Sequence, residues 1–238
     1  FLGLQHSPSI KRLSVVDCEN LSSDDFDCIT STIHYLSLEH LKLCNINLHK
    51  SNIENLSFLF RAIQQTKTLK EVDLSRNNLG GTPRAILLLA RCLSGDPVWI
   101  EAGGNKESEN LPFNYHHHIE KLSLVDCGIT DKASVRTLTK AMDSTLTKLD
   151  ANNNEHKLVL HSVDLGKNNF GNNGAKILKK LLENNASITT LGMVGCGVST
   201  KNLKSIADQL RYNNSFLQKL GLSSGGSLAI LDSMSAVA

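Results

Sequence analysis

The stretch LKEVDLSRNNLGG, residues 69–81, decides how the rest of the chain is read. Apolar residues stand at positions 1, 4 and 6 (Leu69, Val72 and Leu74), an asparagine at position 9 (Asn77) and a leucine at position 11 (Leu79). The short alternation of Val72 and Leu74 is that of a strand, in which every second side chain shares a face. Asn77 then fits neither strand nor helix periodicity, so the segment reads as a strand followed by a turn.

The same frame, L-x-x-L-x-L-x-x-[N/C]-x-L, returns in LHSVDLGKNNF (Leu160–Phe170), IEKLSLVDCGI (Ile119–Ile129) and ITTLGMVGCGV (Ile188–Val198). Weaker copies start at Ile10, Leu38, Leu146 and Leu217, and the most degraded is PVWIEAGGN from Pro97. About nine units result, above the three or so that stacked repeats need for stability.

These residues resemble leucine-rich repeats, specifically the ribonuclease-inhibitor-like class. The ninth-position residues are Cys18, Ile46, Asn77, Asn105, Cys127, Asn154, Asn168, Cys196 and Gly225, and the recurring step between them is 28 residues, the signature of that class. Stretches of helical period lie between the strands: TPRAILLLARCL (Thr82–Leu93), GAKILKKLLENN (Gly174–Asn185) and TKNLKSIADQLRYN (Thr200–Asn213). In the last, Leu203, Ile206, Ala207 and Leu210 make one apolar stripe. Each unit is therefore strand, turn and helix. No unit can bury its own apolar face, so neighbours cover one another along a curved solenoid. The fold class is α/β: one leucine-rich-repeat domain over residues 1–238, with a parallel sheet on the concave face and helices on the convex face. An asparagine at position 9 offers donors and an acceptor to backbone groups in adjacent turns, and the smaller cysteine substitutes for it.

Two irregularities interrupt the frame. The polar segment Gly103–His118 occupies a 22-residue step, which predicts a loop on the convex side. The 14-residue step from Asn154 to Asn168 leaves no room for a helix, which predicts two strands joined by a bare connection.

Composition fits a folded chain with a sizeable core: 40% of residues are hydrophobic and 20% charged. The net charge of +2 argues for neither a nucleic-acid footprint nor a membrane surface, and no apolar run is long enough to span a bilayer. The chain begins at Phe1 rather than methionine, which is compatible with a removed leader. Six cysteines without a C-x-x-C pair read as buried thiols, because Cys18, Cys127 and Cys196 hold repeat positions and Cys92 sits among helical leucines. That reading favours a reducing compartment. Consecutive His116, His117 and His118 point in different directions and read as a polar loop rather than a metal site. GKNNFGNNGAK (Gly166–Lys176) lacks the phosphate-loop frame, and its glycines belong to the repeat turn. No local signature of a catalytic nucleophile is present.

With positions 4 and 6 pointing inward, positions 3, 5, 7 and 8 project from the concave sheet. Position 5 reads Ser14, Lys42, Asp73, Glu101, Ser123, Asp150, Asp164, Gly192 and Gly221; position 3 includes Arg12, His40, Glu71, Trp99, Lys121 and Lys148. The candidate partner-binding residues are Glu71, Asp73, Arg76, Trp99, Glu101, Lys121, Lys148, Asp150, Asp164 and Lys167. The alternative for Trp99 is that it plugs the core of its degraded unit. The resemblance implies a protein-binding scaffold, neither an enzyme nor a carrier of a cofactor or metal. No nucleic acid, membrane span or small-molecule substrate is expected, and the location is cytoplasmic. Irregular unit lengths and abundant Lys, Asn and Ile also resemble effectors that intracellular bacterial pathogens secrete into host cells, which implies a host protein, or another effector enzyme to be blocked, as partner. Other readings are a GTPase-activating repeat protein similar to the Ran regulator and the ligand-sensing repeat domain of a NOD-like receptor.

Overall fold

Parallel strands form in the units whose positions 4 and 6 are both apolar with a polar residue or a glycine between them. The computed structural model describes residues 9–95, 98, 118–143, 148–149, 155–156, 159–183, 187–199, 201–202, 204–206, 208, 217–224 and 227–232. Five α-helices, two short 3-10 turns and ten strands are delimited among them: β1 (Arg12–Val16), α1 (Ser23–Tyr35), β2 (His40–Cys44), α2 (Ile53–Gln65), β3 (Glu71–Asp73), α3 (Pro83–Ser94), β4 (Lys121–Ser123), α4 (Lys132–Ala141), β5 (Lys148–Leu149), β6 (Glu155–His156), β7 (Ser162–Asp164), α5 (Gly171–Glu183), β8 (Thr190–Met193), β9 (Lys219–Ser224) and β10 (Ser227–Asp232).

One sheet runs in the order β1-β2-β3-β4-β7-β8-β9-β10. Its first seven strands are parallel and in register, Leu41 lying opposite Val72 and Val72 opposite Leu122. The antiparallel β10 covers the free edge of β9, the kind of edge that otherwise invites strand addition. The helices stack in chain order, α1 on α2, α2 on α3, α3 on α4 and α4 on α5.

Each helix has a local cause. Ser22 and Asp25 form a reciprocal cap at the start of α1, and Asn52 and Asp131 accept backbone N–H bonds at the starts of α2 and α4. Pro83 occupies the first turn of α3, where its missing N–H costs nothing. The inward stripe of α3, Ala85, Ile86, Leu89, Cys92 and Leu93, meets Val72, Leu74 and Leu122 in one continuous core.

Asn77, Asn168, Cys127 and Cys196 at the ninth position stitch the units together as their chemistry predicts, whereas Cys18 is exposed. The buried Asn77 side chain accepts from Ile46 N at 3.0 Å and donates to the carbonyls of Leu43 at 2.6 Å and Leu74 at 2.8 Å. Asn168 repeats the set with Cys127 N, Leu124 and Leu165. Cysteine does half of this: the thiols of Cys127 and Cys196 donate to Leu74 O at 3.2 Å and Leu165 O at 3.1 Å. All six cysteines are free.

The neighbours differ from the nine-unit reading in two places. β3 pairs directly with β4, so no strand of the Pro97 copy lies between them. β4 likewise pairs directly with β7, while the Leu146 copy supplies β5, which pairs antiparallel with β6 in a separate two-stranded sheet. Seven units therefore build the parallel sheet. The steps from Asn77 to Cys127 and from Cys127 to Asn168, 50 and 41 residues, are single units lengthened after their helices. The two strands expected around the step from Asn154 to Asn168 do occur as β5 and β7, but β5 lies outside the main sheet and the connection is not bare, because β6 stands between them. The segment expected as a loop, with His116 and His117, lies outside the described residues, and His118 is half-buried at its end.

Candidate protein-binding face

On a parallel sheet, residues at one repeat position stand in rows about 4.8 Å apart, so facing side chains interact directly. The position-3 row runs Arg12, His40, Glu71, Lys121, Ser162, Thr190, Lys219. Glu71 stands between two potential cations and binds both. One carboxylate oxygen lies 2.7 Å from His40 Nδ1, and the other accepts from Lys121 Nζ. The hydrogen bond from Lys121 holds the Glu71 carboxyl below its ordinary range, aided by His40 and opposed by partial desolvation.

The position-5 row runs Ser14, Lys42, Asp73, Ser123, Asp164, Gly192, Gly221. Asp73 is 3.6 Å from Lys42 Nζ and accepts from Ser75 N at 3.1 Å and from the Ser75 hydroxyl. Desolvation raises its pKa, but the bonds from Ser75 together with Cys44 and the Lys42 charge outweigh that, so the carboxyl titrates below its ordinary value. Ser75 Oγ in turn lies 2.9 Å from Ser123 Oγ and accepts from Val125 N. Acid, hydroxyls and amine thus form one connected row across β2, β3 and β4.

Asp164 is placed differently. It is exposed, its Oδ1 accepts from Gly166 N at 3.0 Å, and among the described residues it makes no ion pair. Its carboxylate lies across Gly192, where a Cβ would stand 2.4 Å from Oδ1. The glycine is what lets an acid lie flat on this part of the sheet. The two rows line a groove of about 480 Å³ over β1, β2, β3, β4 and β7.

Of the candidate residues, the structure brings Glu71, Asp73, Lys121 and Asp164 together on this face. Arg76 and Lys167 sit on the turn that follows the strand, with left-handed backbones at φ 62° and 57°. Every position-8 residue from Asp17 to Gly195 in this sheet shares that conformation, and Arg76 reaches back to Asp17 at 3.5 Å. Lys148 is displaced: it belongs to β5 in the small sheet. Trp99, Glu101 and Asp150 lie outside the described residues. The places expected for Glu101 and Asp150 in the position-5 row do not exist, because Asp73 faces Ser123 and Ser123 faces Asp164 directly. His40, Lys42, Ser75 and Ser123 were not among the candidates although the frame put them on the same face. Their signal is complementarity with the next unit, legible only once the true neighbours are known.

The parallel strand-helix stack and its asparagine and cysteine bonds define a leucine-rich-repeat solenoid. No protein-family model matches the sequence, and no curated protein matches it. Among solved structures, the chain is similar to the tropomodulin C-terminal domain of Caenorhabditis elegans. The two are 11% identical, with a TM-score of 0.47 over 79% of this chain and 93% of that one.

Proposed function

We propose that this chain is a non-enzymatic scaffold that binds another protein through the concave sheet face. The observation that carries the reading is the cross-strand charge lattice around Glu71, Asp73 and Lys121, beside the unpaired Asp164. Exposed ion pairs of this kind contribute only about 0–1 kcal/mol to folding, so the lattice is poorly explained as a stabilising device. Its value lies in order: charges already fixed in position cost a partner little to engage, and they set register and on-rate. Asp164 is the natural seat for a partner's Lys or Arg.

In its finer form, the chain is an effector of an intracellular bacterial pathogen acting in the host cytoplasm. Its partner is then a host protein, or a second effector enzyme whose active site the solenoid covers. Irregular unit lengths and abundant Lys, Asn and Ile support that form.

The test uses association and dissociation rates for a partner captured from host extract. Asp164→Lys slows association and weakens binding by roughly tenfold or more. Gly192→Ala leaves the charge in place but pushes the Asp164 carboxylate aside, and it weakens binding without altering the fold. Unchanged rates in both variants, with circular dichroism intact, exclude the concave face. Accelerated GTP hydrolysis by a small GTPase on adding the chain would replace the scaffold reading with a GTPase-activating one.

A further inference from the structure

The outer surface of the helices carries a second charge pattern, unlike that of the sheet. On α4, Lys132, Arg136 and Lys140 follow at four-residue intervals, all exposed, and Lys176 and Lys180 repeat the spacing on α5. On α3, Arg84 and Arg91 lie one turn to either side of Leu87. Glu183 is the one carboxylate on these three helices. Among the described residues, none of these seven cations makes an ion pair. Because α3 packs on α4 and α4 on α5, the cations form a grid spaced about 6 Å along α4 and α5 and about 10 Å along α3, with about 10 Å between helices.

The grid suits the helices that carry it only in part: Arg91, Lys140 and Lys180 stand in last turns, where the macrodipole favours positive charge, but two other cations do not. Lys132 is the first helical residue of α4 and Arg84 the second of α3, the ends at which the macrodipole disfavours positive charge. Like charges four residues apart repel as well. Charge complementarity makes the fitting partner of such a face an extended anionic surface. Two apolar side chains narrow the choice. Leu87 is 46% exposed between its two arginines, and Phe58, 43% exposed, projects from the adjacent α2. A polynucleotide engages the cations but gains nothing from Leu87. A bilayer with anionic headgroups engages both, the cations at the phosphates and carboxylates and the apolar tips at the headgroup boundary.

We propose that the helical face of α3, α4 and α5, with Leu87 at its edge, docks on an anionic lipid bilayer. The concave sheet then faces away from the membrane and stays open to a protein, so this inference is independent of the partner-binding proposal.

Flotation of the whole chain with vesicles tests it. The chain should float with vesicles of phosphatidylcholine and phosphatidylserine, stay behind with phosphatidylcholine alone, and be released by salt. Replacing Lys132, Arg136 and Lys140 by glutamate should lower the partition by roughly a hundredfold. Replacement of the same three by glutamine, which keeps helix propensity, should lower it less while circular dichroism is unchanged. Leu87→Ser should cut binding several-fold and leave its salt dependence intact, whereas Asp164→Lys on the opposite face should not weaken it. No flotation with the anionic vesicles, or binding unaffected by the α4 variants, overturns the proposal. So does tighter binding to a duplex RNA that is indifferent to Leu87→Ser, which assigns the face to a polynucleotide.

Discussion

Asn77 and Asn168 show how much one side chain carries in a stacked fold. Each is fully buried and serves backbone groups of two units at once. Asn77→Ala leaves those N–H and carbonyl groups unpaired away from water, and urea unfolding should show a loss of about 2–4 kcal/mol. Asn77→Cys keeps a thiol to donate, as Cys127 does to Leu74 O, so it should cost about half as much. A loss no greater for alanine than for cysteine contradicts the stitching role. Four of the six cysteines are buried as expected, and burial pushes the thiols of Cys44, Cys92, Cys127 and Cys196 up to about 12, whereas Cys18 is exposed and Cys28 half-buried, against the reading of six buried thiols. Thiol titration of the native protein should therefore reach Cys18 first, and denaturant without reductant should release six thiols. Glu71 and Asp73 both titrate lower in the folded chain than in the unfolded one. The stability they confer is complete above the ordinary carboxylate range near pH 4 and is lost as pH falls through their lowered values. Asp73→Asn, which cannot titrate, should flatten the fall of the urea midpoint in acid. The asparagine bonds were legible at the residue level, because position 9 follows from the frame alone, whereas the exposure of Cys18 at that same position and the Lys121 bond to Glu71 were not.

At the level of elements, strands and helices were readable wherever period and turn chemistry agreed. Even the weak copies at Ile10, Leu38 and Leu217 form β1, β2 and β9. The copies at Pro97 and Leu146 were misplaced because a short apolar alternation states that a segment can be a strand, not which strand it pairs with. Gly80 held the clue. A Cβ there would stand 2.1 Å from the carbonyl oxygen of Gly128, and Gly80 N donates to Cys127 O at 2.9 Å. The turn after β3 thus lies against the turn after β4, and no unit fits between them. Both contacts are backbone and cannot swing aside. Gly80→Ala should destabilise the fold by about 1–3 kcal/mol, read from the urea midpoint. Gly171→Ala, where a Cβ meets nothing within 4 Å, reports only the strain of a positive φ of 55°. A smaller loss at Gly80 than at Gly171 contradicts the direct approach of the two turns.

For the whole molecule, the informative quantity is how charge is distributed, and this the sequence concealed. A net charge of +2 pointed to no anionic partner, yet the sum merges an acid-containing lattice on the sheet with an unpaired cationic grid on α3, α4 and α5. Only the stacking of helices places Arg84, Arg136 and Lys180 on one surface. The concave site was half legible for the same reason: alternation showed that Glu71 and Lys121 face outward, but their pairing depended on knowing that β3 and β4 are neighbours. The central claim is that the sheet face, not the helical face, receives the protein partner. A photo-crosslinking side chain placed at Ser123, in the middle of the lattice, or at Arg136, on the outside of α4, tests this in cell extract. The expected result is a protein adduct from Ser123 that disappears when Asp164→Lys is added, and no such adduct from Arg136. A protein adduct from Arg136 alone, with Ser123 silent, would contradict it.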